Sequence, residues 1–577
     1  MQTERDTIAQ APPPLDTTVL ATLSASVLAA CGGAGGDGPI ASPAPAPMPV
    51  PAPSPAPAPA PVPAPPSSLP PPSDAQASRF LQQATLGATD ADIAAVRSMG
   101  YAAWLEHQFA QPLSASNWDW LVGKGIDTNP NARNVAMGID SQIWQRLITA
   151  PDSLRQRMAL ALSEIFVVGF DGITGPFKQF KMAAYWDLLA SHAFGNFRSL
   201  LEAVTLSPAM GNYLNTAGNQ KEDPATGRQP DENYAREVMQ LFTIGLVELN
   251  TDGGVKLDAQ GQAIETYSQD TVTQLARVFT GWNYDSRRGD TSPEVTRRPL
   301  VLTPGLHSTQ AASFLGATVP AGTEGKAALN IALDTLAAHP NVGPFIGRQL
   351  IQRLVSSNPS PAYVGRVAAA FNDNGQGQRG DLKATLRAIL LDEEARRDPT
   401  PSDTRGGKLR EPILRLLQWA RAFKARSLSG DWNLGNLSDP STRLGQSPQR
   451  SPSVFNFFRP GFLPAGTAIA AADLVAPEFQ LANETSVAGY LNFMQTVTAG
   501  GHPDLRPDYS AELAMAGNAM ALVDRIEMLL CSAPLSAEAR STIIGAVNSI
   551  PAATGAANRV ATTVLLVMAS PDYLVQR

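Results

Sequence analysis

From about Ala75 to Arg577, apolar residues recur every three or four positions, the period of amphipathic helices. Tyr101, Trp104, Leu105 and Phe109 mark one stripe at i, i+3, i+4 and i+8. Just before it, Thr89 is followed three residues on by Asp92, a cap that opens a short helix ending at Gly100. The same spacing predicts helices over 140–150, 152–168, 177–194, 231–245, 268–280, 326–338, 344–355, 361–371, 381–396, 409–425, 511–530 and 557–569. Two stretches break the period. Residues 246–267 read as short strands joined by turns at Asp252-Gly253 and Gln260-Gly261, and residues 298–319 read as extended. The pattern predicts a mainly α protein: a large multi-helix body with a small β-hairpin or ribbon insert, preceded by a disordered Pro/Ala-rich linker.

The N-terminal pattern is of another kind. Residues 17–30 form a moderately apolar run about as long as a signal-peptide core, and too short for a spanning helix of ~20 residues. It stops at Leu28-Ala29-Ala30-Cys31-Gly32, which resembles a bacterial lipobox and makes Cys31 the expected lipid attachment site. Residues 1–30 are therefore expected to be a lipoprotein-type signal peptide, although Glu4, Asp6 and Asp16 stand where a basic patch is usual. Residues 31–74 begin Gly-rich and turn Pro/Ala-rich, with 16 of the chain's 49 prolines between Pro43 and Pro72. Such a segment has no apolar surface to bury and favours polyproline II, spanning on the order of 90 Å at ~3.1 Å per residue. A lipid followed by a stiff spacer predicts an exported body, residues 75–577 with room for two subdomains. It would be held at the outer membrane, the cell surface or in the periplasm, and meet the membrane through the N-terminal lipid.

Composition narrows the function classes. The 577 residues are 44% hydrophobic and 16% charged with a net charge of −7, and no Lys/Arg block is interleaved with aromatics, so nucleic acid is not an expected partner. Two cysteines exclude a disulfide scaffold or a four-thiolate metal site. Gly375 to Gly380 matches G-x-G-x-x-G by letter, but the preceding YVGRVAAAFNDN has a helical period. This is a turn between helices, and no nucleotide cofactor is expected. Gly325-Lys326 lacks the rest of a P-loop, and Gln449 replaces the last glycine of a nucleophile elbow at Ser447. The five histidines (His107, His192, His307, His339 and His502) have no shared helical spacing, so a His-rich metal site requires tertiary convergence.

The densest polar cluster opens the helix that begins near Pro230. Asp231 is a natural N-cap, and Glu232 and Arg236 fall at i, i+4 on the wet side as an ion pair. Tyr234, Val238, Leu241 and Phe242 form the apolar face. Asn233 and Glu237 sit at its edge, where a carboxylate is partly desolvated and becomes a candidate base or metal ligand. The alternative for Glu237 is a buried acid paired with an arginine or a loop. His192, near a helix C-terminus, reads as packed against a carbonyl. His307, in a segment read as extended, reads as a freer ligand. Asp231, Glu232, Asn233, Arg236, Glu237, His192 and His307 are thus the catalytic candidates, and Glu237, His192 and His307 the metal-ligand candidates.

Several of these segments together resemble a bacterial family known as domain of unknown function 1800. They are RFLQQATLGATDADI near Phe80, SHAFGNF at 191–197, PDENYAREVMQLFTIGL at 230–246, TYSQDTVTQLARVFTGW at 266–282, LHSTQAASFLG at 306–316, PSVFNFFRPGFLP at 452–464 and LVAPEFQLANETSVAGYLNF at 474–493. The resemblance implies an exported protein and a working partner in a sulfatase-like exported family of unknown function, number 1501. Many members have Asp after the histidine at 307 and Lys near 312, where this chain has Ser308 and Ala312.

Two functions compete. One is a lipid-anchored helical protein that acts with a partner protein at the cell envelope. The other is a hydrolase or metal-dependent enzyme on an envelope or extracellular polymer, built on the ENYARE helix and the histidines. Carbohydrate binding through Trp118 and Trp120 is a weaker third. The discriminating observation is spatial: whether Glu237, His192 and His307 meet in one pocket.

Overall fold

The first described helix, Asp74–Ala84, opens on a capping box in which Ser73 and Gln76 satisfy each other's backbone N–H groups. Arg97 fastens this start by pairing with Asp74 at 2.8 Å and donating to the Pro72 carbonyl at 3.3 Å. The computed structural model describes residues 71–577 apart from 287–289, 291, 401–402 and 404. The expected signal peptide 1–30, the expected lipid site Cys31 and the linker as far as residue 70 lie outside the described residues.

Among the described residues there are twenty-four α-helices and only two-stranded antiparallel sheets. The fold is mainly α, as the period predicts. Thr89 accepts from the Asp92 N–H, and the helix Asp90–Met99 stops at Gly100 in a positive-φ conformation. Trp104, Leu105 and Phe109 bury the expected face of Tyr101–Ala110. Residues 246–267 form a ribbon, bridged antiparallel at Val247 with Glu265, Leu249 with Val255 and Leu257 with Ala263. Residues 298–319 contribute Val301–Leu302, Ala312–Phe314 and Ala317–Val319, and His307, itself extended, follows a tight 3-10 turn at Pro304–Leu306 that interrupts them. Two further pairs arise where no strand is expected: Lys408–Leu409 with Val575–Gln576, and Arg426–Ser427 with Leu505–Arg506. Both join segments distant in sequence, so no local period announces them.

One large apolar cluster runs through the body, with Trp104, Trp144, Trp186 and Trp419 fully buried in it. A smaller cluster holds Trp118, Leu121, Phe177 and Phe180. Trp118 is therefore a core residue, in edge contact with Phe180, and the carbohydrate platform with Trp120 is overturned. Gly375 to Gly380 lies between the helices Pro361–Asn372 and Leu382–Leu390, its Gly375 and Gly377 N–H groups donating to Asp373.

The helix Val342–Leu354 positions the site described below. Its Val342, Ile346, Leu350 and Leu354 face the core, while Phe345, Arg348, Gln349, Gln352 and Arg353 form a second stripe toward a cavity. It starts two residues before the predicted 344, because Pro344 in the first turn has no N–H to lose. The ENYARE helix is shorter than predicted, Asn233–Gln240. The chain then turns sharply, with Ile244 and Gly245 N–H groups both returning to the Met239 carbonyl. Gly245 has φ 71°, and a Cβ there would lie 2.8 Å from the Phe345 ring. Only glycine admits both the turn and that ring.

Candidate functional site

At the start of the ENYARE helix, Asp231 Oδ1 accepts from the Asn233 N–H at 2.8 Å, but the N-cap position expected of Asp231 falls to Glu232, whose side chain makes no cap bond. Its other oxygen accepts from Asn215, and its backbone is held on both sides by the Asn219 amide. Glu232 pairs with Arg236 at 3.1 Å and also accepts from Gln269 and Thr273. Every oxygen of that carboxylate is engaged in tying two helices together. Asn233 sits half-buried at the helix start.

Glu237 is buried, 8% exposed, and its Oε2 has no hydrogen-bond partner. Burial raises its pKa, and the charge of Arg236 only partly opposes that. No arginine or histidine forms an ion pair with it among the described residues, which overturns the paired-acid expectation. The sign of its pH effect follows. A raised folded-state pKa leaves stability intact below the ordinary carboxyl range and removes it as pH rises through the folded value. Glu237→Gln is expected to match the parent at low pH and to gain on it as pH climbs above 4.5, the ordinary glutamate value. A loss approaching the ~3–5 kcal/mol of a broken buried ion pair, in urea unfolding at neutral pH, would contradict this.

The histidines lie elsewhere. His192 Nδ1 donates to the Leu188 carbonyl at 3.0 Å and ends its helix, the packed role expected. His307 is 5% exposed, so it does not project freely. Its Nδ1 lies 2.9 Å from the Thr280 carbonyl, which can only accept, so Nδ1 carries the proton. Next to it Ser308 donates to Glu222 at 3.0 Å, and Ala312 is buried at the start of its strand. The loop 215–231 ties this corner to the ENYARE helix, because Asn219 holds Asp231 with its side chain and Gly281 with its carbonyl. Glu237, His192 and His307 do not meet. Among the described residues no group of three or more His, Cys, Asp or Glu side chains could hold a metal ion.

The structure assembles a different site, one the local sequence pattern misses. The C-terminal end of the ENYARE helix, the ribbon, the Phe345–Arg353 stripe and the loop 454–461 enclose a cavity of ≈ 440 Å³. Leu241, Val247, Leu249, Phe345, Val454 and Phe458 give it apolar walls. Arg348 and Arg459 stand exposed at its mouth, and neither has a carboxylate partner among the described residues. Arg459 lies over the Phe455 ring at 4.3 Å.

Behind the cavity is a cluster of buried charges. Arg353 pairs with Glu164 at 3.3 Å, Arg157 with Glu411 at 3.8 Å and Lys408 with Glu478 at 2.8 Å. Lys408 and Arg157 also donate to the Arg353 carbonyl, and Gln446 donates to Glu411 at 2.8 Å. Burial first, then the nearby Glu411, pushes the Glu164 pKa well up, against the opposing charges of Arg353 and Arg157. Burial opposes ionisation of Glu411 as well, but the adjacent Glu164 carboxyl, together with Lys408, Arg157 and Gln446, holds its pKa below the ordinary glutamate value. Both Glu164 oxygens are sealed from solvent. The one sequence signal for this cluster is Arg157, a charge directly before the apolar MALAL run.

The remaining cysteine, Cys531, is buried with its pKa pushed to about 12 by burial, so its thiol is inert. Among the described residues no helix is long and apolar enough to cross a membrane. The family model described as protein of unknown function (DUF1800) matches residues 79–575. No curated protein and no solved structure matches the chain.

Proposed function

We propose, for a chain that belongs to the DUF1800 family of proteins of unknown function, a binding role at the cell envelope centred on the cavity beside Phe345. The observation that carries this reading is the cavity itself, ≈ 440 Å³ with apolar walls and two arginines at its mouth. Two of the segments that resemble the family meet there or next to it, namely PDENYAREVMQLFTIGL, with the ENYARE helix and its TIGL turn, and the FNFFRPGF loop. A cavity of that size and lining fits a small apolar-bodied ligand. The enzyme alternative draws less support, since Glu237, His192 and His307 lie apart and the Glu164 carboxyl is closed off from solvent.

Nile red, a neutral apolar dye, tests this on the purified full-length chain. Its fluorescence should rise saturably with one dye per chain, and Val454→Trp, which fills the cavity, should abolish the rise. No saturable binding, or binding indifferent to Val454→Trp, would remove the binding reading.

Anchoring belongs to the same proposal. The apolar run ending at Cys31 and the Pro/Ala spacer support a body tethered by lipid, where it would work with a sulfatase-like partner of the family of unknown function 1501. In a bacterial host the parent should partition into detergent and Cys31→Ser into the aqueous phase. A native chain that retains Met1, read by mass spectrometry, would end the lipoprotein assignment.

A further inference from the structure

We infer that the cavity takes a single-chain amphipathic anion, its carboxylate-like head at the inner end against Gln349 and its tail along Phe345 and Phe455 toward Leu246 and Val255. This names the ligand class of the proposed binding site and rests on that reading.

The inner end calls for an acceptor. Gln349 is 7% exposed and lines the cavity, and its Nε2, a donor, has no partner, whereas the neighbouring Arg353 Nε faces Glu164 at 3.3 Å. A buried donor without a partner is costly, and an anionic oxygen satisfies it. The charge balance has the same sign. Glu164 is the one acid on the cavity lining, against Arg348, Arg353 and Arg459. The outer end calls for an apolar chain. Leu246 and Val255 line the cavity yet are 57% and 45% exposed, and Leu257 carries the apolar surface further along the ribbon at 59%. Arg348 and Arg459 at the mouth raise the local concentration of anions without needing to contact the bound head.

Displacement of Nile red from the full-length chain by laurate tests the inference, with dodecanol as the neutral analogue. Laurate should bind at least ten times more tightly than dodecanol. Gln349→Leu should weaken laurate about tenfold and shrink its margin over dodecanol, with the melting temperature close to the parent's. Arg348→Gln with Arg459→Gln should make laurate binding weaker and less sensitive to salt. Equal affinity for laurate and dodecanol overturns the inference, as does laurate binding indifferent to Gln349→Leu. Cosedimentation with phosphatidylglycerol vesicles in a chain that does not bind laurate also overturns it, by making the ligand a membrane lipid. Failure of Nile red to bind is a separate result and removes the underlying binding reading instead.

Discussion

Lys408→Met is expected to cost ~3–5 kcal/mol of folding stability, because it strips the partner from a buried carboxylate. Lys408 and Glu478 are 2.8 Å apart with side chains 0% and 1% exposed, and the other Glu478 oxygen already has no partner. Lys408 also donates to the Arg353 carbonyl at 2.7 Å, so its loss loosens the inner wall of the cavity. Desolvation makes such a pair nearly neutral overall, yet breaking one side of it is expensive. The double variant Lys408→Met with Glu478→Leu should therefore recover much of the loss. Urea unfolding of the four chains gives the coupling energy directly. A single-variant loss under about 1 kcal/mol would show that the charges are solvated after all.

Gly281→Val should cost about 2–5 kcal/mol, from a left-handed backbone of ~1–2 and overpacking of ~1–3. Gly281 has φ 83°, and a Cβ there would lie 2.9 Å from the His307 N and 3.0 Å from its Cα. Backbone atoms cannot swing aside as a side-chain tip can. The displacement should pass to the Thr280–His307 bond and to Ser308 on Glu222, the bonds that fasten the 215–231 loop. Gly316→Val is the control, because its φ is 80° but nothing lies within 4 Å of the new Cβ. Equal losses at 281 and 316, measured by thermal unfolding, would mean that the close approach to His307 costs nothing.

What the sequence discloses and what it hides divide along locality. Capped, periodic helices are legible, as Thr89 with Asp92 and the Tyr101 stripe show, because their signals lie within one or two turns. The helix Ala537–Asn548 escapes, since only Ile543 and Val547 of its residues are buried and its stripe is too thin to register. The burial of Glu237 follows from its place at the edge of an apolar face. Its lack of a counter-charge does not, because that depends on what other segments bring to it. His307 misleads for a related reason: Pro304 folds the preceding residues into a tight turn that sets the imidazole against Thr280. The charge cluster behind the cavity is hidden most completely. Glu164, Arg353, Lys408 and Glu478 come from separate segments, and a two-residue strand pair with the C-terminal segment fixes Lys408 in place. No spacing in the chain connects them.

The central claim is that the cavity beside Phe345 is where this protein meets its ligand. Photocrosslinking of the full-length chain with a diazirine-bearing fatty acid, followed by peptide mass spectrometry, tests it most directly. Label should concentrate on Phe345, Leu246, Val255 and the loop 454–461, and excess laurate should suppress it. Label spread over the surface, or gathered elsewhere and indifferent to laurate, would contradict the account.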